Sequence, residues 1–301
     1  MSAGGAGEPG SGASGPGGTA DPGGTGRTGG TADPDSTGRT AGTADTDSTG
    51  RTAGTVDPTG TGIAVVVGAS GALGGPIAAR LQKAGLTVVA VARTPPASFV
   101  PCTADIGSDG AVDAIRATLA TLDGPVRMVV QAAGLPAAGP LREIDPQALG
   151  AAVALKVGGL LRLVRAVEDR LVAGSRIVAL GGHYGIEPAP YAPAAGVTNA
   201  GLANLVRQLA DVYGPRGVTV HLVAPGPADT PRLRGLLERA AAQRGVDVST
   251  VLAERAAESP LGRFVTPEQV AWAVALLLDP EADALHGSTL GLDMGARRSL
   301  F

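Results

Sequence analysis

The chain has 301 residues, with 47 glycines, 23 prolines and only seven aromatic side chains. Its 24 basic and 27 acidic residues give a net charge of -3, which excludes a nucleic-acid-binding protein that relies on a basic excess. The single cysteine, Cys102, excludes a disulfide scaffold and a cysteine-rich zinc site, so we expect no metal. No apolar run reaches about 18 residues, and we therefore expect a cytoplasmic protein that does not span a membrane.

The first part of the chain, residues 1–62, has a composition unlike the rest. It holds 19 of the 47 glycines and contains a near-repeat of 12 residues, Thr31–Gly42 followed by Thr43–Gly54. The repeats lack an apolar face, so stacking them cannot offset the entropy cost of ordering the chain. We interpret 1–62 as a disordered tail and 63–301 as a single domain.

Short apolar runs alternate with longer helical patterns through the domain. The predicted strands are Ile63–Val67, Thr87–Ala92, Arg127–Gln131, Arg176–Leu180, Val218–Val223 and Ser288–Leu292. The predicted helices are Leu73–Lys83, Asp109–Leu122, Pro146–Leu171, Val197–Tyr213 and Pro267–Leu278, with an arginine-rich lid segment over about 231–259. Continuously apolar strands indicate that both sheet faces are covered, so we predict an α/β fold with a Rossmann-type, doubly wound parallel sheet.

A glycine-rich turn follows the first predicted strand, in the sequence Gly68-Ala69-Ser70-Gly71-Ala72-Leu73-Gly74. Glycines at this place let the backbone approach a diphosphate, which binds to the amides of the helix N-terminus. The second strand ends at Ala92 and is followed by Arg93, where an NAD site would have a carboxylate for the ribose hydroxyls. A guanidinium suits the additional 2′-phosphate of NADP, so the sequence favours NADP(H).

The order of these motifs resembles the short-chain dehydrogenase/reductase family over essentially all of 63–301. The turn is similar to the family's TGxxxGxG, with Val67 for its threonine and Ala72 for its middle glycine. Further similar motifs are Asp105-Ile106, Gln131-Ala132-Ala133-Gly134 in place of NNAG, Ala224-Pro225-Gly226 with Thr230, Leu261-Gly262-Arg263-Phe264 with Pro267-Glu268, and Leu292-Asp293-Met294-Gly295. The resemblance implies cofactor contacts from Gly68, Ser70, Gly71, Leu73, Gly74, Arg93, Asp105, Ile106, Ala132, Ala133, Gly134, Lys156, Pro225, Gly226 and Thr230.

The family's Ser-Tyr-Lys catalytic set is missing from this sequence. The helix Leu202–Ala210 resembles the family's VxxLTxxLA and sets the register. In that register Gly182 stands at the serine position, Ala195 at the tyrosine position and Asn199 at the lysine position.

A second resemblance accounts for Asn199. Ketoreductase domains of modular polyketide synthases have an asparagine at this position and a lysine on the preceding long helix, where Lys156 stands here. The resemblance implies that Lys156 and Asn199 are catalytic residues and that Lys156 also contacts the nicotinamide ribose. The alternative is a lysine whose ammonium reaches the surface.

Reduction of a ketone leaves an alkoxide that needs a proton donor. Tyr191, one helical turn before Ala195 if the helix begins early, is the first candidate, and Tyr184 and His183 are others. For each of them, a place in the pocket wall or in a surface loop is a better explanation than catalysis, and we predict a substrate pocket formed by Gly182, His183, Tyr184 and Tyr191. A substrate hydroxyl beside the carbonyl is the other source of the proton, because intramolecular orientation can replace much of an acid's contribution.

The chain resembles atypical ketoreductases of angucyclinone pathways, such as that of simocyclinone. We therefore expect an NADPH-dependent ketoreductase acting on an aromatic polyketide, in a dimer or tetramer formed through Pro146–Leu171 and Val197–Tyr213. Two alternatives remain open. They are a redox-silent nucleotide-binding scaffold, and a cyclase, dehydratase or isomerase in which the nucleotide is structural.

Overall fold

A computed structural model describes residues 62–136 and 139–299, so the predicted tail lies, except for Gly62, outside the described residues. The strands are β1 Ile63–Val67, β2 Thr87–Ala92, β3 Val100–Thr103, β4 Val126–Gln131, β5 Leu171–Leu180, β6 Thr219–Pro225 and β7 Thr289–Leu292. The helices are α1 Gly74–Lys83, α2 Gly110–Leu119, α3 Pro146–Val153, α4 Gly159–Val167, α5 Pro193–Tyr213, α6 Pro231–Arg244, α7 Val248–Ala257 and α8 Pro267–Leu276.

The seven strands form one parallel sheet in the order β3-β2-β1-β4-β5-β6-β7. Its two faces are covered by separate apolar clusters, so that Val65 and Val67 pack on one side while Ala64 and Val66 pack on the other. The predicted Rossmann-type, doubly wound fold is confirmed. The strand order reverses between β1 and β4, and ligands of such sheets bind at the carboxyl ends of the strands beside this reversal.

The predicted helix Pro146–Leu171 is confirmed in extent to within one residue, over Pro146–Arg170, but it is not α-helical throughout. The structure interrupts it with a π-helical turn at Ala154–Gly158, ends α4 at Val167, and assigns Leu171 to β5. The Gln131 side chain explains the π turn, because its Nε2 donates to the carbonyl oxygens of Leu155 at 3.2 Å and Lys156 at 3.4 Å. A side chain bonded to helix carbonyls is a known cause of such local irregularity.

Other elements also differ from the prediction, and β5 begins five residues before the predicted strand Arg176–Leu180. Strand β3 was not predicted, because it has only four residues, contains Pro101 and lies at the sheet edge, where proline is tolerated. Helix α5 begins four residues before the predicted start, with Pro193 in its first turn. The lid segment consists of two helices, because Gly245 ends α6 in the left-handed conformation and the Asp247 side chain caps α7.

One helical stretch, Pro146–Arg170, is long and apolar enough by composition to cross a membrane. Its second half packs Leu160, Leu163, Val164 and Val167 into the core on one face of the sheet. This packing is that of a core helix of an α/β domain.

A buried histidine makes the stability of the fold depend on pH. His221 on β6 is fully buried, with its Nε2 2.8 Å from Thr219 Oγ1 and its Nδ1 3.1 Å from the Leu285 carbonyl oxygen. Burial lowers the pKa of His221 from 6.5 to about 4, and the nearby charge of Arg176 acts in the same direction. The unfolded chain therefore binds this proton at a higher pH than the folded protein does.

We expect His221 to cost the protein about 3 kcal/mol of unfolding free energy as the pH falls from 6.5 to 4, at about 1.4 kcal/mol per unit of pKa difference. Its contribution is fully present above pH 6.5. Urea unfolding of wild type and His221→Gln across this range measures the effect, since the variant lacks the titrating ring. Parallel pH profiles for the two proteins would contradict the assignment.

Candidate active site

The glycine turn lies between β1 and α1, at the carboxyl edge of the sheet. Gly68 has a left-handed φ of 78°, and a Cβ at this position would lie 2.8 Å from the Ala132 carbonyl oxygen. A Cβ at Gly74 would overlap the Gly68 carbonyl group. Among the described residues, the backbone N–H groups of Ser70 and Leu73 have no acceptor. The turn thus presents free donors at the N-terminus of α1, which fits a diphosphate.

The residues predicted to hold the adenosine end follow β2 and β3. Arg93 is exposed, and it makes no hydrogen bond or ion pair with any residue within 62–136 or 139–299. Asp105 accepts a hydrogen bond from the Gly107 backbone N–H at 2.9 Å, while the Ile106 side chain is buried in the core. The free guanidinium of Arg93 fits a 2′-phosphate.

The motifs after β4 and β6 border the same edge of the sheet. The Ala132 N–H donates to the Val67 carbonyl oxygen at 3.0 Å, and the Gly226 N–H donates to the Leu292 carbonyl oxygen at 2.9 Å. Thr230 caps α6, since its hydroxyl oxygen accepts a hydrogen bond from the Leu233 N–H at 3.3 Å. Of the remaining predicted contacts, Gly71, Ala133, Gly134 and Pro225 lie in these same segments. The cofactor motifs of the sequence therefore lie along the carboxyl edge of the sheet, on both sides of the switch point.

Lys156 and Asn199 lie side by side in the interior. Lys156 is only 5% exposed, and its Nζ lies 3.5 Å from Asn199 Oδ1. Burial, together with the nearby charge of Arg232, lowers the pKa of Lys156 to about 8. No carboxylate among the described residues pairs with the ammonium. The structure thus brings together the two residues that the sequence analysis assigned to catalysis.

Asn199 also occupies the space next to the missing serine. A Cβ built on Gly182 would lie 2.8 Å from Asn199 Nδ2, which is closer than real Cβ contacts allow. Ala195 lies in the first turn of α5 and is half-buried. Positions 182 and 195 therefore carry no hydroxyl group, and a serine at 182 would require Asn199 to move.

Tyr191 does not share a helical face with Ala195, because α5 begins at Pro193 and leaves Tyr191 in the preceding loop. Its ring is 58% exposed, and its Oη lies 3.1 Å from Tyr184 Oη. Burial, with the hydrogen bond to Tyr191, raises the pKa of Tyr184 to about 12. Burial, with the charge of Arg255, lowers the pKa of His183. At neutral pH these groups are a phenol and a neutral imidazole.

These side chains border a cavity of about 320 Å³, which we call the lid cavity. It lies between the loop 183–191, helix α7, the segment 258–265 and the segment 293–296. The sequence analysis predicted a pocket of Gly182, His183, Tyr184 and Tyr191. Gly182 does not line the cavity, whereas the other three do, and the analysis missed Arg255, Glu187 and Asp293. An arginine-rich lid was the available signal, but only the fold shows which arginine faces the cavity. No group of acidic, histidine or cysteine side chains suited to a metal ion occurs within 62–136 or 139–299.

The buried ammonium of Lys156 is expected to lower the stability of the folded protein at neutral pH. Because its pKa is lower in the folded than in the unfolded protein, stability is reduced below pH 8 and recovers as the pH rises toward 10.5. We expect Lys156→Met to raise the unfolding free energy at pH 7 by about 2 kcal/mol, allowing for the lost bond to Asn199. Urea unfolding measures this, with Lys83→Met as the exposed control. A destabilised Lys156→Met protein would contradict the expectation.

Comparison with known proteins agrees with the fold. Residues 60–297 match the family model described as enoyl-(acyl carrier protein) reductase. The chain is 32% identical to the short-chain reductase protein NovJ of Streptomyces niveus, over 77% of this chain and 93% of that protein. It is 26% identical to a variant of actinorhodin polyketide ketoreductase solved with NADPH, with a TM-score of 0.71 over 78% and 97% of the two chains. L-sorbose reductase of Gluconobacter frateurii, solved with NADPH and L-sorbose, shares the fold with a TM-score of 0.73 at 24% identity, over 79% and 97%. The chain belongs to the short-chain dehydrogenase/reductase family.

Proposed function

We propose that the protein is an NADPH-dependent ketoreductase that reduces a carbonyl group of an aromatic polyketide of the angucyclinone type. The observation that carries the proposal is the active-site arrangement itself. Lys156 and Asn199 are in contact, as ketoreductases of polyketide synthases would have them, while positions 182 and 195 lack the serine and tyrosine. The similarity to actinorhodin polyketide ketoreductase supports the substrate class.

The residues around the switch point fit NADPH, which supplies a hydride when it is bound. The open N–H groups of Ser70 and Leu73 would hold its diphosphate, and the free guanidinium of Arg93 would hold its 2′-phosphate. The ammonium of Lys156 would donate to the nicotinamide ribose. Removing it, as in Lys156→Met, is expected to weaken NADPH binding by about tenfold.

The proton is proposed to come from the substrate. Tyr184 has a raised pKa and already shares its hydroxyl with Tyr191, so it holds a ligand more readily than it gives up a proton. In a substrate with a hydroxyl beside the ketone, that O–H bond breaks as its proton passes to the alkoxide oxygen, and its electron pair stays behind as a phenolate. The protein then needs only to align the substrate and exclude water. Ala195 carries only a methyl group where the family has a tyrosine, which would leave room for a wide, flat ligand there, whereas Asn199 takes the space beside Gly182.

Incubation of the full chain with NADPH and a panel of polycyclic ketones tests the proposal through loss of the nicotinamide absorbance. Lys83→Met is the control for the Lys156→Met variant, because Lys83 lies on the exposed end of α1 and its loss does not affect the site. NADPH binding without consumption across the panel would instead favour the redox-silent scaffold. Conversion of a substrate without consumption of NADPH would favour the cyclase, dehydratase or isomerase.

We also propose that the protein is a cytoplasmic homo-oligomer. Helix α5 exposes Val197 and Val212, with exposed fractions of 54% and 64%, and a partner subunit on this face would cover both. Light scattering measures the oligomeric state, and a monomer at micromolar concentration would contradict the proposal.

A further inference from the structure

Arg255 on helix α7 extends from the lid toward the loop that precedes α5. Its side chain is only 14% exposed, and its Nη2 donates to Tyr184 Oη at 2.5 Å. Tyr184 Oη in turn lies 3.1 Å from Tyr191 Oη, and the two tyrosine rings meet edge to face with their centroids 5.6 Å apart. A guanidinium and two phenols are thus joined across the lid cavity.

The guanidinium has unused hydrogen-bonding capacity. It carries five N–H donors, and besides the bond to Tyr184 it makes one ion pair, with Glu258, whose side chain is 55% exposed at the rim. Its other three N–H groups have no acceptor among the residues that the structure describes. A half-neutralised, largely desolvated arginine with free donors is suited to an oxygen that carries negative charge.

The other carboxylates of the cavity have partners of their own. Glu187 accepts hydrogen bonds from the backbone N–H groups of Arg298 and Ser299, the latter at 2.6 Å. Asp293 accepts bonds from the N–H groups of Gly295 at 3.0 Å and Arg297 at 3.3 Å. Glu258 is therefore the one carboxylate within the described residues that pairs with Arg255.

We propose that Arg255 binds an ionisable aromatic hydroxyl group of the substrate, and the phenolate that it becomes. The second lid helix would thereby select flat aromatic ligands that carry an acidic hydroxyl. The inference rests on the proposed function for its reaction. The hydride adds to the carbonyl carbon, the carbonyl π electrons move to oxygen, and the neighbouring hydroxyl gives its proton to that oxygen. The electron pair left on the phenol oxygen is the charge that Arg255 would stabilise.

Alizarin is a suitable probe, because it is a flat anthraquinone with two adjacent hydroxyl groups, one of them beside a carbonyl, and it changes colour when the more acidic hydroxyl ionises. Titration of the full chain with NADP⁺ and alizarin measures both affinity and the pKa of the bound dye without any turnover. We expect the wild-type protein to lower the pKa of bound alizarin by about one unit. Arg255→Gln should abolish this shift and weaken binding of ionised alizarin about tenfold, while leaving binding of alizarin dimethyl ether unchanged.

The ion pair of Arg255 with Glu258 provides a second test, in which the expected change in the pKa of bound alizarin has the opposite sign. Glu258→Gln removes the competing carboxylate and should lower the pKa of bound alizarin further. Arg244 and Glu254 form a matched pair on the same lid, 2.5 Å apart and outside the cavity lining, so Arg244→Gln and Glu254→Gln should change nothing. Arg255→Lys keeps the charge and should keep part of the shift, which covers the case that Arg255→Gln fails to fold.

Three results would overturn the inference. The first is failure of the wild type to bind alizarin. The second is an equal loss of affinity for alizarin and for its dimethyl ether in Arg255→Gln. The third is a change of the same sign in the pKa of bound alizarin in the Arg255→Gln and Glu258→Gln proteins. These outcomes are independent of ketone reduction. A protein that binds alizarin through Arg255 but never consumes NADPH would refute the proposed function and leave the inference standing, and active reduction with unchanged binding in Arg255→Gln would do the reverse.

Discussion

A polycyclic ketone with a hydroxyl group beside its carbonyl is expected to be reduced at least about a hundredfold faster than its methyl ether, which is the lower range of what a positioned acid contributes. The reason is that no hydroxyl side chain stands at positions 182 or 195, and Tyr184 is hydrogen-bonded with a pKa raised to about 12. The substrate is then the remaining source of an oriented proton. Steady-state rates for the two ketones, each compared at saturation, measure the difference.

The methyl ether must still bind for this comparison to report on proton transfer. Its dissociation constant in the presence of NADP⁺ provides that control, since loss of binding alone would change KM rather than kcat. Tyr184→Phe and Tyr191→Phe are expected to retain most of the rate with the hydroxyl-bearing ketone. Equal rates for the two ketones, or collapse of the rate in one tyrosine variant, would place the acid on the protein.

Substitution of Gly74 by alanine is expected to abolish measurable NADPH binding and to destabilise the fold by about 3 kcal/mol, the upper range for overpacking. The added Cβ would overlap the Gly68 carbonyl group, so the turn between β1 and α1 would have to open. The open N–H groups of Ser70 and Leu73 would then no longer converge on a diphosphate.

Gly75 offers a matched control within the same helix. A Cβ there would lie 3.4 Å from the Ala69 carbonyl oxygen, which is an ordinary contact. We therefore expect Gly75→Ala to bind NADPH normally and to gain about 0.5–1 kcal/mol from the better helix propensity of alanine. Calorimetric titration with NADPH and urea unfolding of both variants decide the matter. Similar behaviour of the two would show that the turn tolerates the added methyl group.

The fold could be predicted from the sequence because its strands are unusually uniform. A continuous apolar run such as Ile63–Val67 shows from its own sequence that both faces of the strand are covered. The glycine turn could be interpreted as a phosphate-binding turn because it comes directly after β1. Strand β3 escaped prediction because Pro101 and its short length hide it. The π turn escaped prediction because its cause, the amide of Gln131, lies on another strand.

The candidate site was less predictable for the same reason. The resemblance of Leu202–Ala210 to the family's motif placed Asn199 and Gly182, because it sets the register of the catalytic positions. It could not show that the Asn199 amide stands where a serine Cβ would be, because that contact joins separate elements. The chain of Arg255, Tyr184 and Tyr191 spans 71 residues of sequence at its widest, so no local pattern announces it.

The scarcity of lysine has a practical consequence. Lys83 lies on the last turn of α1, whereas the glycine turn begins that helix at the opposite edge of the sheet. Lys156 is buried, so among the described residues an amine-reactive reagent meets one accessible side chain, and it is remote from the cleft. Attachment to a sensor surface through Lys83 would hold the molecule with its cleft facing the solution. Isotope labelling of lysine would give two side-chain signals, one of which reports from inside the site.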